Sequence, residues 1–247
     1  GHLTQPPARP WLLVSDIDDT LTGDDAAMQA LGAAIDADRD RLWFAVNSSR
    51  PAGSVAETLS SVFPPQLRPD GVITALGTEI AWQGAPLDGW EQRFEGWPHA
   101  RIFDTLDRLG HRPHDPAFQT QRKVSFAIPP SDQPAARQAL SGFDCTIIAS
   151  GSDDFDVIPT AGGKDKAALF LAEYLGLGPG KLIVAGDSGN DLAMFGVTSM
   201  GIAVQNARSE LLDALTPGAF HHAKAAHAAG VLEGLQHYGA LPHETEK

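Results

Sequence analysis

A doubly wound α/β layer with a smaller α+β unit inserted into it is the fold this sequence predicts. Three observations carry that expectation. Short apolar runs ending in acids or hydroxyls recur toward both ends of the chain. Stretches with apolar residues at helical spacing separate them. Between the two halves the pattern changes to Gly, Pro and Trp, followed by strand-like runs around two helices.

Each element has its own local reason. Trp11 to Ser15 is an apolar run ending in acids and reads as a buried parallel strand. Asp24 to Ile35 has helical periodicity. Leu42 to Val46 is a second apolar run, and Pro51 is placed to open a helix at its first position, continued by Val55, Leu59 and Val62-Phe63. Gly71 to Leu76 is a third run, and Gly77 to Trp82 reads as a hairpin segment. After the Gly/Pro/Trp-rich stretch 84–98 come a helix over 100–109, a strand over 123–128, a helix over 134–140, and runs at 145–149 and 155–158. The α/β pattern returns with a helix over 164–175, a strand over 181–185, a helix over 192–195, a strand over 200–204 and a helix over 209–215. The expected organisation is therefore a core from 1–86 and 161–247 with an α+β unit from 87–160.

Composition narrows the function. The chain has 247 residues, enough for a core plus a smaller insert. Hydrophobic residues at 43% and charged residues at 20% match ordinary globular usage, so disorder is not expected. A net charge of -13 disfavours nucleic acid and anionic membrane as partners. It also repels phosphate unless a cation and a few Lys/Arg reverse the field locally. Cys145 is the single cysteine, which excludes an internal disulfide and fits a reducing compartment. No apolar run approaches the ~20 residues that span a bilayer. Residues 1–7 lack the pattern of a secretory leader, so a cytoplasmic location is expected.

Four constellations carry chemistry. Asp16-Ile17-Asp18-Asp19-Thr20 follows the first strand directly. Residues two apart on a strand share a face, so Asp16 and Asp18 emerge together at the carboxyl end, where open α/β sheets bind ligands. One carboxylate can attack phosphorus while the other moves protons. Taken alone, such a pair is more often a solvated loop. Gly186-Asp187-Ser188-Gly189-Asn190-Asp191 follows another strand, and acids there suit a hard cation with oxygen ligands. Ser48, after the second strand, can hold a phosphate oxygen beside backbone N–H groups. Lys164, after two glycines, can neutralise charge on a transferring phosphoryl group. A lone Ser or Lys is usually structural; two acidic strand ends far apart in sequence are much rarer by chance.

In this order, acid pair, hydroxyl, lysine and acid cluster, the chain resembles the haloacid dehalogenase-like phosphatases, in the subclass with an inserted α/β cap. The resemblance implies a Rossmann-like core, Asp16 as nucleophile and Asp18 as general acid/base. It implies Ser48 and Lys164 as phosphate holders, with Ser49 and Arg50 in the same substrate-binding turn. It implies Mg2+ on Asp16, Asp187 and the Asp18 main-chain carbonyl, with Asp191 in the same shell or just behind, and Asn190 orienting these groups. Further stretches resemble bacterial sucrose-phosphate phosphatases: Ala75 to Ile80, Lys123-Val124-Ser125-Phe126, Val204 to Ala207 with Glu210-Leu211-Leu212, and Ala226 to Val231. One departure is Ser48-Ser49-Arg50 where the family usually has Thr-Gly-Arg; the lost glycine bears on how closely the backbone approaches substrate.

The resemblance implies hydrolysis of a sugar phosphate, a disaccharide phosphate such as sucrose-6-phosphate first, with a mannosylfructose phosphate or a broader range as alternatives. It also implies a sugar-phosphate synthase as an associating partner. Two readings from other classes are an idle sugar-phosphate-binding partner of a glycosyltransferase, and a phosphomutase. Asp153, Asp154 and Asp156 form an acidic cluster, usually a solvated turn and here a candidate for sugar hydroxyls along with Lys123. Trp90 and Trp97 can stack on a sugar but more often pack in a core. His221, His222 and His227 lack the paired spacing of a zinc site and read as surface residues, with His227 near the site by resemblance.

Overall fold

The computed structural model describes residues 7–243, so most of the leader reading at 1–7 lies outside the described residues. β1 (Trp11–Ser15) buries Leu12, Leu13 and Val14 completely. Burial on both faces is what a strand inside a covered parallel sheet requires. Asp24 caps α1 (Asp25–Ala37), its side chain accepting from the Ala27 N–H at 3.0 Å. β2 (Leu42–Asn47) is buried throughout. α2 (Ala52–Ser61) differs from expectation at both ends. Pro51 is the extended residue before the helix, not its first member, and the helix stops at Ser61. The Pro64-Pro65 pair disfavours helical backbone at the preceding residue, which is why Val62-Phe63 do not extend it.

β3 (Gly71–Thr74) pairs antiparallel with β4 (Glu79–Trp82), and β5 (Ala85–Pro86) follows. The turn Ala75–Gly77 joins β3 and β4, with Ala75 and Leu76 at positive φ. In the inserted stretch come α3 (His99–Arg108), β6 (Arg112–Pro113), β7 (Val124–Ala127), α4 (Gln133–Ala139), β8 (Thr146–Ser150) and β9 (Asp154–Ile158). The chain then forms α5 (Lys164–Tyr174), β10 (Leu182–Gly186), β11 (Gly201–Ala203), α6 (Ser209–Leu212), β12 (His221–His222) and α7 (His227–His237). The helix expected at 192–195 is a 3-10 run, Gly189–Gly196, opened by a Ser188/Asp191 capping box. β12 and α7 lie beyond the expected elements, and Ala228, Val231 and Leu235 bury one face of α7 at helical spacing.

The main sheet runs β12-β11-β10-β1-β2-β3-β4-β5, parallel from β12 to β3. Alternate residues of β1 feed opposite layers. Leu13 packs with Met28 and Leu31 of α1 and Val231 of α7; Leu12 and Val14 pack with Ala168 and Leu171 of α5 and with Trp90. This is an α/β fold with helices on both faces of a largely parallel sheet. The second sheet, β6-β7-β9-β8, is antiparallel. Val124, Phe126, Phe155 and Val157 line its apolar face against Ile102, Leu106 and Leu140. Its opposite face carries Ser125, Asp154 and Asp156. No described helix is long and apolar enough to cross a membrane.

Candidate active site

β1 and β10 are neighbours, so their carboxyl ends bring Asp16 beside Asp187. The Asp16 N–H donates to the Ala185 carbonyl at 3.0 Å, fixing the acid where the strand stops. Thr20 Oγ1 lies 2.9 Å from Asp187 Oδ1 and 3.3 Å from Asp16 Oδ2, stitching the two loops. Lys164 enters from the start of α5. Its ammonium is 3.0 Å from Asp16 Oδ1 and 2.8 Å from Asp191 Oδ1, and the side chain is 1% exposed. The Asn47 amide donates to the Lys164 carbonyl at 3.0 Å and anchors that helix start. Gly77 backs the same point: a Cβ there would meet the Gly163 carbonyl at 2.2 Å.

Oxygen atoms of Asp16, Asp187 and Asp191 lie within 4.8 Å of one another. Burial pushes the Asp16 carboxyl up to about 7, against the pull of Lys164. Burial and the charge of Asp16 raise Asp191 to about 6, with Lys164 opposing. Asp187 is raised too, first by burial. Burial alone would lower the Lys164 ammonium, but Asp16 and Asp191 outweigh it and hold it above the ordinary lysine value. With all three carboxylates ionised, the centre carries two negative charges beyond the one ammonium, which a divalent cation would cancel. An all-oxygen donor set suits a hard cation. Asp191 has little left to give: Oδ1 meets Lys164 and Oδ2 accepts the Asp187 and Ser188 N–H groups at 3.0 and 3.2 Å. Its carboxylate sits behind the pair Asp16/Asp187 and organises their loop.

The other expected residues are distributed around this centre. Asp18 is turned outward with 56% of its side chain exposed, and Arg50 holds both its oxygens, at 2.9 and 3.2 Å. Ser54 and Thr58 fix the far side of that guanidinium. Ser48 is buried and its Oγ accepts the Arg50 N–H at 3.0 Å, shaping the turn. Ser49, Asn190, Asp16, Asp18, Asp187 and Glu210 line a chamber of about 150 Å3. Asn190 Oδ1 accepts from Ser188 at 3.0 Å. Lys123 does not line that chamber: it is buried and its ammonium donates to the Ser49 carbonyl at 2.9 Å, a tie between the two sheets. Burial lowers its pKa, with Asp156 and Asp154 opposing.

Asp156 is not a solvated turn; it is buried and accepts from Ser125 Oγ at 2.5 Å. Asp154 does lie at the chamber. Trp90 and Trp97 are packing residues, their indole N–H groups donating to Gly77 and Asp144 carbonyls. His221 is half-buried, 2.6 Å from Glu233 and stacked on His237. His227 is near the Asp19 loop: its N–H donates to Asn206, whose amide donates to the Asp19 carbonyl. Thr20, Asn47 and Arg208, the last a lining residue of the chamber, were not singled out by sequence. Thr20 was legible, since it completes the D-x-D-x-T run; Asn47 and Arg208 carried no local signal.

The model of the sucrose-6F-phosphate phosphohydrolase family matches residues 9–239. Mannosylfructose-phosphate phosphatase of Agrobacterium fabrum is 32% identical over 246 residues, covering 94% of this chain and 98% of that protein. Sucrose-phosphatase 1 of Nicotiana tabacum is 29% identical over 74% of this chain; the chain spans about half, 48%, of that relative's length. The X-ray structure of the sucrose-phosphatase from Synechocystis sp. PCC6803, in complex with sucrose and phosphate, superposes with a TM-score of 0.87 at 28% identity. That match covers 95% of this chain and 100% of the other. With the motif order, the sheet and the carboxylate centre in agreement, this chain belongs to the sucrose-6F-phosphate phosphohydrolase family.

Proposed function

We infer that this chain hydrolyses a sugar phosphate, with a disaccharide phosphate such as sucrose-6-phosphate as the first candidate. The observation that carries this reading is the Asp16 carboxylate, clamped by Lys164 at the floor of a chamber that Asp18 also lines. Asp16 attacks phosphorus while the bond to the sugar oxygen breaks, and Asp18 gives that oxygen its proton. Asp18 then takes a proton from water. The resulting hydroxide displaces Asp16 from phosphorus, releasing phosphate and restoring both acids. Asp18 must leave Arg50, which holds both its oxygens, to reach the sugar oxygen, and Lys164 offsets charge on the phosphoryl oxygens. Ser48, Ser49 and Asn190 hold the phosphate, and Lys123 positions the Ser49 backbone.

Asp16 and Asp187, with the Asp18 main-chain carbonyl, are the groups we assign to Mg2+, with Asp191 behind them. When bound, that ion would neutralise phosphoryl charge. Residues 87–160 act in this reading as a cap on the core of 1–86 and 161–247, reading the sugar and excluding water. An idle binding domain has no need of this charged centre, so that alternative is set aside. Mannosylfructose phosphate is the second substrate reading, favoured by the nearly full-length match to the Agrobacterium enzyme. A cytoplasmic location and association with the synthase that makes the ester complete the proposal.

Phosphate release from a panel of disaccharide and hexose phosphates, with Mg2+ and with EDTA, tests it. Strong Mg2+-dependent release from one disaccharide phosphate is expected. Asp16→Asn should lose turnover by at least about 1,000-fold while keeping its melting temperature. Normal turnover in that variant would sink the mechanism. Equal slow release from every ester would leave only a general sugar phosphatase, and phosphate moved to another sugar position would indicate a mutase.

A further inference from the structure

Glu210 binds two backbone groups that belong to different sheets. Its Oε1 accepts the Gly189 N–H at 3.1 Å, inside the loop that carries Asp187 and Asp191. Its Oε2 accepts the Gly151 N–H at 3.0 Å, at the turn between β8 and β9. Ser150, Gly151 and Asp154 of that turn form one wall of the 150 Å3 chamber over Asp16. Pockets that enclose drug-sized ligands measure roughly 300–1,000 Å3, and this smaller cleft is open to solvent on one side, so outward movement of the turn is the way it would widen for a disaccharide phosphate. Withdrawal must break the Glu210–Gly151 bond and need not touch the Glu210–Gly189 bond. Closure then restores a hydrogen bond to an ionised acceptor, stronger than a neutral one.

We propose that Glu210 is a positioning residue that latches the Gly151 turn over the phosphate site and registers closure to the Asp187–Asp191 loop. The latch follows from the geometry; its effect on turnover rests on the sugar-phosphatase reading above. If Glu210 served only to shape the Gly189 turn, the cap side would be indifferent to it.

Two measurements on the full chain separate these roles. The first is amide hydrogen exchange over 148–155 and over β10 in wild type, Glu210→Ala and Glu210→Gln. The second is kcat and KM on sucrose-6-phosphate and on p-nitrophenyl phosphate with Mg2+. In Glu210→Ala, exchange over 148–155 should quicken about tenfold, as loss of one charge-assisted bond implies, with β10 unchanged. The disaccharide ester should lose about tenfold more in kcat/KM than the compact aryl ester, whose own loss reports the Gly189 bond that Glu210→Ala also removes. Glu210→Gln keeps one acceptor oxygen and should fall between; it also serves if the alanine variant does not fold. Unchanged exchange over 148–155, or equal losses on both esters, would overturn the latch. If wild type cleaves neither ester, the sugar-phosphatase reading fails, and exchange alone still decides the latch.

Discussion

Lys164 is the residue on which the site's charge depends. Its ammonium is buried between Asp16 and Asp191, and removing it leaves three carboxylates crowded without a fixed cation. Lys164→Met should therefore destabilise the chain by about 3–5 kcal/mol in EDTA, read from urea unfolding. The deficit should shrink with Mg2+, because a bound cation takes over the neutralisation; an equal deficit in both conditions would show that the two positive charges do not share the task. The acids and the lysine were legible in sequence because each sits where an apolar run or a glycine pair ends. Their division of labour was not. Asp191 spends its oxygens on its own loop, and Lys123 reaches the Ser49 carbonyl rather than the chamber. Glu210 was invisible as a bridge, since its partners lie 21 and 59 residues away.

Among the elements, the turn Ala75–Gly77 bears on catalysis without contacting the chamber. Gly77 sits at φ 80, and a Cβ would strike the backbone of Gly163 at 2.2 Å and Lys164 N at 2.5 Å. Gly77→Ala should cost at least about 2 kcal/mol in urea unfolding, from strain and displaced backbone together. It should also lower kcat, because the displaced backbone is the one that carries Lys164. Retained stability with full activity would mean that the two segments separate freely. Strands were the easiest elements to see, since their runs are apolar and sharply bounded. Helix ends were harder: Pro64-Pro65 stop α2 early, and the run that the Ser188/Asp191 capping box opens is 3-10 from Gly189 to Gly196. α7 was missed although its buried face has helical spacing, because its histidines and glycines dilute the pattern.

At the scale of the molecule, the site is assembled from both ends of the chain, so a bound cation should tie them together. Mg2+ at 100 times its dissociation constant should add about 2.7 kcal/mol to unfolding stability, seen as a rise in melting temperature that EDTA reverses. No rise would argue against a cation at Asp16 and Asp187. Sequence announced the strands but not their order, because an apolar run does not say which neighbour it will find. The order has a consequence for the making of the protein. Leu12 pairs with Leu182, so a ribosome must add 170 residues before β1 meets β10. Until then Leu12, Leu13 and Val14 form a bare apolar edge, the kind of segment that chaperones shield and that aggregates when they do not. A product truncated before Asp187 carries Asp16 without its partner, so in the proposed mechanism partial chains should be catalytically silent.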